Sequence, residues 1–557
     1  MDRAQSPTRP NSEEPADCAP SIDVIVIGSG AAGLSAALFA SVNAASVLVL
    51  EKSGSIGGSS AISGAGTWIP ANHHARAAGI DDSSAEALGY IRAALPEDWR
   101  ASEDRLWTAF VEKAPETLEF LERHTPLRFG LVEEPDPQAE KPGGKVRGRM
   151  LSPLPLSRRL VGSYAPKIRR PAIPHLFTYQ ELRRDPYAHP LATLVRFGPR
   201  LFARLVTDSR GQGSALITGL LRGCLDRGCR VELGTRVQNL LSDAATGRVV
   251  GVEAEQEGRR CRFKARRGVL LATGGFEWDS ELREAHFGGH VDRIGTPATN
   301  TGDGQKMASR VGASLERMDQ ANLYPLLPIG YENGMGGLPA IFQAHPHAIV
   351  VDRTAQRFVS EYDYNIGEAL DRRDPASGRP IHLPCWVVGD ARFLRRPLMF
   401  RWLAHREKGW VRSAATIAAL AGLIGLPPAA LERTVERFNG FARAGADEDF
   451  DRGESIWERY KSRSEANGKN RTLGGIERPP FVAVSFNLAI LGTKGGARTN
   501  ERGQVLRPDG SIIPGLYCAG NAMANPFGTR AVGAGTSIGP CLTWGYICGH
   551  GLVRESQ

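Results

Sequence analysis

The sequence predicts an α/β fold with a buried parallel sheet. Three observations predict it. Asp23-Val-Ile-Val-Ile27 is a short apolar, β-branched run that leads straight into Gly28-Ser-Gly-Ala-Ala-Gly33. Val47-Leu-Val-Leu50 repeats the apolar run and closes on Glu51. Arg267-Gly-Val-Leu-Leu-Ala-Thr-Gly-Gly275 is a third such run, again ending in glycine. Continuous apolar runs of this length suit strands covered on both faces. At 557 residues the chain can bury a large core without disulfide staples. With 41% hydrophobic and 23% charged residues, bulk disorder is excluded.

The elements follow in order. Residues 1–20 are polar and Pro-rich with no apolar core, which predicts a disordered leader rather than a signal peptide. A strand starts at Ile22, and a helix over Leu34–Ala40 follows the glycines. With the strand Val47–Leu50 they make one βαβ unit, a Rossmann-like arrangement. In such a unit Gly28 permits the tight turn, Gly30 lets backbone approach a pyrophosphate, and Gly33 lets helix pack on strand. The helix N-terminus then faces the anion. Glu51 falls 18 residues after Gly33, where a carboxylate accepts from a ribose diol. Further along, Val231–Glu253 reads as strand–turn–strand with Thr246-Gly-Arg at the turn. Asn300-Thr-Gly-Asp-Gly304 is a loop before a helix starting near Gln305. Ala430–Ala442 is an amphipathic helix with Leu431, Val435 and Phe438 on one face. Ile513–Gly520 returns to a strand that ends in Cys518-Ala-Gly-Asn521.

Charge is distributed unevenly. Residues 141–210 hold 15 Lys/Arg against three acids, a net +12 in a chain of net +9, so the rest of the chain carries −3. This is a basic insert on a near-neutral protein. Nucleic acid, an acidic membrane surface or an acidic partner could each use it, and so could plain solvation of a Pro-broken excursion. Its arginines are interleaved with Leu, Phe, Tyr and Pro, which leaves open a peripheral membrane contact that draws apolar substrates off the bilayer; nucleic-acid binding is not expected. The eight cysteines show neither a CxxC pair nor Cys/His ligand spacing, as reduced thiols of a cytoplasmic protein would. His73-His74 and His345-Pro-His347 lack neighbouring acids or cysteines, so no metal is expected. The longest apolar run, Ala414–Leu426, is too short to span a bilayer.

The glycines carry the ligand signal. There are 64 of them in 557 residues, well above the usual ~7%. A second cluster, Gly57-Gly-Ser-Ser-Ala-Ile-Ser-Gly-Ala-Gly66-Thr-Trp-Ile-Pro70, follows the βαβ unit. A nicotinamide-binding domain does not need it. A flavin does, because its ribityl chain and ring edge lie against backbone and small hydroxyls. Leu491-Gly-Thr-Lys-Gly-Gly496 and Gly520-Asn521 continue the series.

Taken in order, Gly57–Gly66 with Trp68-Ile-Pro70 and Asn72, Ala272-Thr-Gly-Gly275, Thr301-Gly-Asp-Gly304, Leu491–Gly496 and Gly515–Asn521 resemble the fumarate reductase/3-ketosteroid dehydrogenase flavoprotein superfamily, and the steroid branch most. The resemblance covers about residues 22–552. It implies FAD as cofactor and a glutathione-reductase type FAD-binding domain with an inserted α+β catalytic cap. The implied division is 21–294 and 484–557 for FAD, carrying the insert 141–210, and 295–483 for the cap. It implies FAD contacts from Gly28, Ser29, Gly30, Ala31, Ala32, Gly33, Glu51, Lys52, Ser53, Gly58, Ser59, Ser60, Ser63, Gly64, Val237, Thr273, Gly274, Gly275, Asp303, Gly520, Asn521, Ser537 and Ile538. Relatives in respiratory complexes attach FAD to a histidine in the second cluster. Ser59-Ser60-Ala61 stands there instead, so the FAD is expected to be noncovalent.

In the steroid branch, a ketone is desaturated beside its carbonyl. An electrophile polarises the carbonyl, a base takes the α proton, and flavin N5 accepts the β hydrogen as hydride. Tyrosines do much of this, and a tyrosinate base requires a pKa well below ~10. The family's Arg-Phe-x-Asn-Glu…Tyr pattern appears as Arg357-Phe-Val-Ser-Glu361-Tyr-Asp-Tyr364, which makes Tyr364 the first base candidate and Tyr362 the second. The family's Tyr-Pro-Gly-x-Gly appears as Ala531-Val-Gly-Ala-Gly535: the tyrosine is Ala531, while Gly535 keeps an amide for the carbonyl oxygen. Arg530 stands near a substrate-binding arginine of the fumarate reductase branch. The segment Val132–Gly144 keeps Pro-Gly-Gly but lacks the family's tyrosine. The expected partners are therefore a small apolar cyclic ketone and a separate electron acceptor or donor. Three readings result: a ketone dehydrogenase; the reverse, a reductase of an activated C=C with Arg530 as anion clamp; and a flavin-fold scaffold that binds through its basic insert.

Overall fold

The computed structural model describes residues 16–17, 21–183, 186–187, 190–288, 291–329, 335–395, 398–463 and 469–555. Residues 1–15 and 18–20 of the expected leader lie outside the described residues; Ala16–Asp17 departs from that expectation as a short strand.

The βαβ unit forms as expected: β1 Ile22–Ile27, α1 Ala31–Val42 and β2 Val47–Glu51. The chain continues through α2 Arg100–His124, α3 Pro190–Val206 and α4 Gln212–Asp226. Four strands follow, β3 Arg230–Leu233, β4 Thr235–Ser242, β5 Val249–Gln256 and β6 Arg259–Leu271. The central part of the chain supplies β7 Val291–Ile294, α5 Asp303–Arg310, β8 Ala321–Leu323, β9 Ala348–Val351, β10 Trp386–Gly389 and β11 Val411–Ala414. After these come α6 Pro428–Ala444, α7 Ile456–Ser462, β12 Phe481–Ser485 and β13 Leu488–Thr493. The chain closes with β14 Gln504–Leu506, β15 Ile512–Cys518 and α8 Ile538–Arg554.

One large sheet runs β4-β5-β6-β1-β2-β3, with β15 on β6 and β14 on β15. β6 does two jobs. Its first half pairs antiparallel with β5, Gly251 opposite Lys264 through Gln256 opposite Arg259. Its second half lies parallel between β1 and β15, Leu271 opposite both Ile27 and Cys518. Chain segments nearly 500 residues apart thus share one sheet, and the apolar runs of β1, β2 and β6 are buried between helices. Helix α8 crosses α1 at close range. A Cβ on Gly545 would stand 2.3 Å from the Ala32 carbonyl oxygen, one on Gly549 2.9 Å from that of Ala36, and the Ser35 hydroxyl donates to the Leu542 carbonyl at 2.8 Å.

The middle of the chain builds its own sheet, β9-β10-β12-β11, antiparallel throughout. Its two faces have separate cores, one around Phe342, Phe393 and Phe400, the other around Leu431, Val435 and Phe438 of α6, the face that periodicity identified. A smaller sheet, β7-β13-β8, lies between the two systems. Beneath the Tyr362–Tyr364 loop is a buried charge cluster. Arg357 reaches Glu361 at 3.0 Å and Asp447 at 2.7 Å, and Arg452 reaches Glu361 at 2.8 Å. Broken buried pairs are costly, so this cluster fixes the loop's base.

The basic insert is more than a solvated excursion. Arg149, 1% exposed, bonds Asp82 at 2.6 Å and Asp136 at 2.9 Å. Arg204 pairs with Glu181, Arg158 with Asp208 and Lys145 with Glu86. Cys224, Cys229, Cys385, Cys518, Cys541 and Cys548 are free, but Cys261 is disulfide-bonded, contrary to the expectation of thiols throughout. Among the described residues no helix is long and apolar enough to cross a membrane.

The α1–α8 crossing leaves no room for a side chain at Gly545. Gly545→Leu is expected to lower unfolding free energy by about 1–3 kcal/mol, read as a lower denaturation midpoint.

Candidate functional site

A cavity of about 620 Å³ opens at the carboxyl ends of β1 and β6 and runs on to Leu338–Ile341, Tyr364 and Trp457. The βαβ turn forms one end. Gly28 takes φ +105°, and a Cβ there would fall 2.3 Å from the Ala272 carbonyl oxygen. A Cβ on Gly33 would fall 2.1 Å from the Gly28 carbonyl oxygen, so this glycine serves helix-on-strand packing and stays off the cavity wall. The Glu51 carboxylate is held in place by the Ser29 amide at 3.1 Å, the Ser29 hydroxyl at 2.7 Å and the Ser53 amide at 2.9 Å. At the second cluster Gly58 takes φ +49°, with no atom within 4 Å of where its Cβ would stand. Ser60 Oγ accepts from the Ala31 amide at 3.2 Å, and Ser59 Oγ from Asn300 at 3.0 Å.

These glycines form a cradle that side chains would fill, with a fixed carboxylate at its ribose end, and a dinucleotide fits it. Gly28, Ser29, Gly30, Ala31, Ala32, Glu51, Lys52, Gly58, Ser59, Ser60, Ser63, Gly64, Val237, Thr273, Gly274, Asp303, Gly520, Asn521, Ser537 and Ile538 all line the cavity. Gly33, Ser53 and Gly275 stand behind it. Ser53 orients Glu51, and a Cβ on Gly275 would fall 2.3 Å from both Glu277 and Thr493. Asp303 ties Lys52 at 2.9 Å and so braces the rim.

Of the catalytic candidates, Tyr364 and Gly535 line the cavity; Tyr362 and Arg530 do not. Tyr362 lies under the Arg452 guanidinium, 5.0 Å from its ring centre, in a separate small pocket. Arg530 is taken by Glu368, Nη2 at 2.6 Å and Nε at 2.8 Å, while its Nη1 donates to the Ala94 carbonyl at 2.9 Å. Beside it Asn365 and Ala531 exchange two hydrogen bonds, of 2.9 and 3.2 Å. Residues 530–531 therefore latch the Tyr364 loop onto the FAD cradle, and the guanidinium that was to clamp a substrate anion is spent on the latch.

Burial, and then the charge of Glu134, push the Tyr364 phenol well above its ordinary value, the direction opposite to the one a tyrosinate base requires. Three further tyrosines line the cavity, Tyr179, Tyr187 and Tyr324, and all are pushed up, Tyr179 by Glu134 first and Tyr187 and Tyr324 by burial first. Tyr179 comes from the basic insert, which also lines the cavity through Ile173, His175, Leu182 and Tyr187. Lys494 of the Leu491–Gly496 motif is buried in the wall; burial lowers its ammonium to about 8, and it donates to the Gly528 carbonyl at 2.5 Å.

Two histidine expectations also change. His175, brought by the insert, lines the cavity near the second glycine cluster. Its Nδ1 faces the Ser214 amide at 3.3 Å and hydroxyl at 3.1 Å, and its ring bonds the Ile62 backbone. Burial lowers it to about 4. His73 and His74 do acquire a carboxylate, Glu122 of α2, at 2.8 and 3.0 Å. Their ligand atoms lie within 4.8 Å of one another, so these three could hold a metal that sequence spacing did not suggest.

His175 binds its proton more weakly folded than unfolded. Its contribution to stability is therefore present above about pH 6.5 and lost as pH falls through about 4. His175→Asn should flatten the acid side of a stability-versus-pH curve. Removing the ribose-end carboxylate, Glu51→Ala, should weaken FAD binding by about 1.5–3 kcal/mol, measured as flavin retained after gel filtration.

A model of the family described as "FAD binding domain" matches residues 23–538. The 3-oxosteroid 1-dehydrogenase of Mycobacterium tuberculosis is 34% identical over 567 residues, covering 96% of this chain and 98% of that protein. The 4-oxocyclohexanecarboxylate 2-dehydrogenase of Sinomonas cyclohexanicum is also 34% identical, over 96% of this chain and 93% of that protein. Among solved structures, 3-ketosteroid delta1-dehydrogenase from Sterolibacterium denitrificans in complex with 1,4-androstadiene-3,17-dione superposes with a TM-score of 0.84 at 31% identity, over 96% of this chain and 99% of that one. Motif order, cradle geometry and end-to-end similarity agree: this chain belongs to the FAD-binding-domain family.

Proposed function

We propose that this FAD-dependent oxidoreductase desaturates a cyclic ketone beside its carbonyl, with a steroid or a smaller alicyclic ketone as substrate. One observation carries the reading: a single cavity joins the FAD cradle to an apolar chamber roofed by tyrosines. Leu338, Ile341 and Trp457 supply apolar wall there, which suits a ring system and excludes water. FAD, when bound, supplies the hydride acceptor. The chain's own groups bind and polarise. Tyr364 offers its phenol proton to the carbonyl oxygen, and the Gly535 amide supports it, a pair of donors that matter most as charge builds on that oxygen. Lys494 keeps a cation on the wall up to about pH 8.

The reverse reaction, C=C reduction, has less support, because Arg530 is bound to Glu368. FAD is taken as noncovalent, since His175 is already hydrogen-bonded at its ring. The division into FAD-binding parts 21–294 and 484–557 and a cap 295–483 is supported by the two cores on the faces of β9-β10-β12-β11, while Met307 and Ala308 of α5 pack with the FAD-side core.

A second contact is proposed with the anionic face of the cytoplasmic membrane. On α3, Leu191, Leu194, Val195, Phe202, Leu205 and Val206 turn one apolar stripe to solvent, with Val195 85% exposed. Arg196 and Arg200 flank it, and Arg159, Lys167 and Arg170 are exposed on the same insert. An exposed apolar stripe beside cations fits an anionic lipid surface. The insert also lines the cavity through Ile173, His175, Tyr179 and Leu182, so the same element would contact lipid and border the site.

A steady-state screen of cyclic ketones with an artificial electron acceptor should find turnover, and Tyr364→Phe should lower kcat/KM about a hundredfold. No turnover on any 3-ketosteroid or cyclohexanone would refute the reading. Vesicles rich in anionic lipid should sediment the protein, and Val195→Gln/Phe202→Gln should abolish this without changing kcat on a water-soluble ketone. Equal sedimentation of parent and variant, or a dimer lost in the variant, would refute the membrane contact.

A further inference from the structure

Away from the cavity, two imidazoles and one carboxylate converge on a single point. His73 and His74 open the short helix His73–Ala77, and Glu122 stands in the last turn of α2. His73 Nε2 lies 2.8 Å from Glu122 Oε2, and His74 Nε2 lies 3.0 Å from Oε1 and 3.1 Å from Oε2. Successive residues of a helix point about 100° apart, so two neighbours do not meet one carboxylate by default. Here the rings lie side by side instead, with centres 4.1 Å apart and planes tilted by 37°.

The three donors are held in place from outside. Asn72 is buried; its Oδ1 accepts from the Ala75 amide at 2.9 Å, and its Nδ2 donates to the Ile69 and Gly148 carbonyls at 2.8 and 2.7 Å. That anchors the turn carrying both histidines. The Phe129 amide donates to Glu122 Oε1 at 2.7 Å and orients the carboxylate, as the outer partners of a metal-ligating carboxylate do. Arg128 is turned to the backbone carbonyls of Glu122, Thr125 and Leu127. No group among the described residues bonds His73 Nδ1, so the imidazole proton can sit there and leave Nε2 bare for a cation. The two histidine side chains are 31% and 26% exposed, so an ion and its water can reach them.

We propose that His73, His74 and Glu122 form a site for one divalent transition-metal ion, zinc by its donor set, with a fourth position left to water. Two imidazoles and a carboxylate suit zinc and its neighbours; magnesium and calcium prefer oxygen donors throughout. With metal–ligand bonds of about 2.0–2.1 Å, the ligand atoms of a tetrahedral site stand about 3.3 Å apart. The contacts to Glu122, 2.8–3.1 Å, need to open by only a few tenths of an ångström. None of the three residues lines the cavity, so the ion's role is structural. It would pin the segment that continues from Trp68 to the end of α2. Trp68 in turn backs the loop that holds Gly535: a Cβ on Gly533 would fall 2.1 Å from the Trp68 ring, and one on Gly539 2.4 Å from its carbonyl oxygen. The proposal does not depend on the desaturation reading.

The probe is zinc itself, offered to the FAD-loaded protein after dialysis against a chelator. The parent should take up about one zinc per chain in a competition titration, and its unfolding midpoint should rise with zinc concentration. Magnesium should not move that midpoint. Copper(II) in the same site should give an electron paramagnetic resonance spectrum split by two imidazole nitrogens; oxidised FAD is silent there. His73→Gln/His74→Gln should weaken zinc binding at least about tenfold and lose the midpoint rise, while keeping its FAD content within about twofold of the parent. Zinc uptake by this variant equal to that of the parent would place the ion elsewhere and overturn the site. A parent that binds no zinc at about 100 µM would overturn it as well. If the variant does not fold, a copper spectrum of the parent without two-nitrogen splitting would be the contradicting result.

Discussion

Backbone lying against backbone at the carboxyl ends of β1 and β6 is the constraint on which the rest depends. Gly28 sits on the Ala272 carbonyl and Gly33 on the Gly28 carbonyl, distances that no Cβ permits. This contact sets the angle of α1 to the sheet. That angle places the Ser29 amide on Glu51 and lets α8 close over α1 through Gly545 and Gly549. The C-terminal strand β15 can then take its place beside β6, and the loop that follows it, 520–537, arrives at the same cleft. Cofactor cradle and fold are consequences of one close approach.

From that base the middle of the chain is tied on by specific contacts. Asn365 and Ala531 exchange hydrogen bonds, Arg530 grips Glu368, Asn300 donates to Ser59, and Glu140 accepts from the Ile456 amide. Behind the cap loop the Arg357–Glu361–Arg452–Asp447 cluster is wholly buried. The loop braced by this cluster carries Tyr364, and residues 530–531 carry the latch. An arrangement of this kind holds polar groups around one cavity at fixed positions, which is what a reaction that separates a proton from a hydride requires.

The glycine stations were legible in sequence, because only glycine tolerates the contacts they make and each cluster falls at a strand end. The parallel strands were legible for a related reason: a run such as Val24–Ile27 has no polar face to turn to water. Arg530 was legible as a residue but not as a role, since its partner Glu368 is 162 positions away. Tyr179 was hidden because it lies in an arginine-rich stretch whose charge suggested surface, while Arg149 and Arg204 are in fact internally paired. The pKa direction of Tyr364 could not be read at all, because it depends on how many groups share one cavity.

The central claim is that electrons flow from a saturated ketone to the flavin. Anaerobic mixing of the oxidised holoenzyme with a saturated cyclic ketone, followed by flavin absorbance in a stopped-flow instrument, addresses it directly. The account predicts bleaching of the flavin in a single turnover, with the α,β-unsaturated ketone as product and slower bleaching for a ketone deuterated at the β carbon. An unbleached flavin with every saturated ketone, together with rapid reoxidation of the reduced enzyme by an enoate, would contradict it.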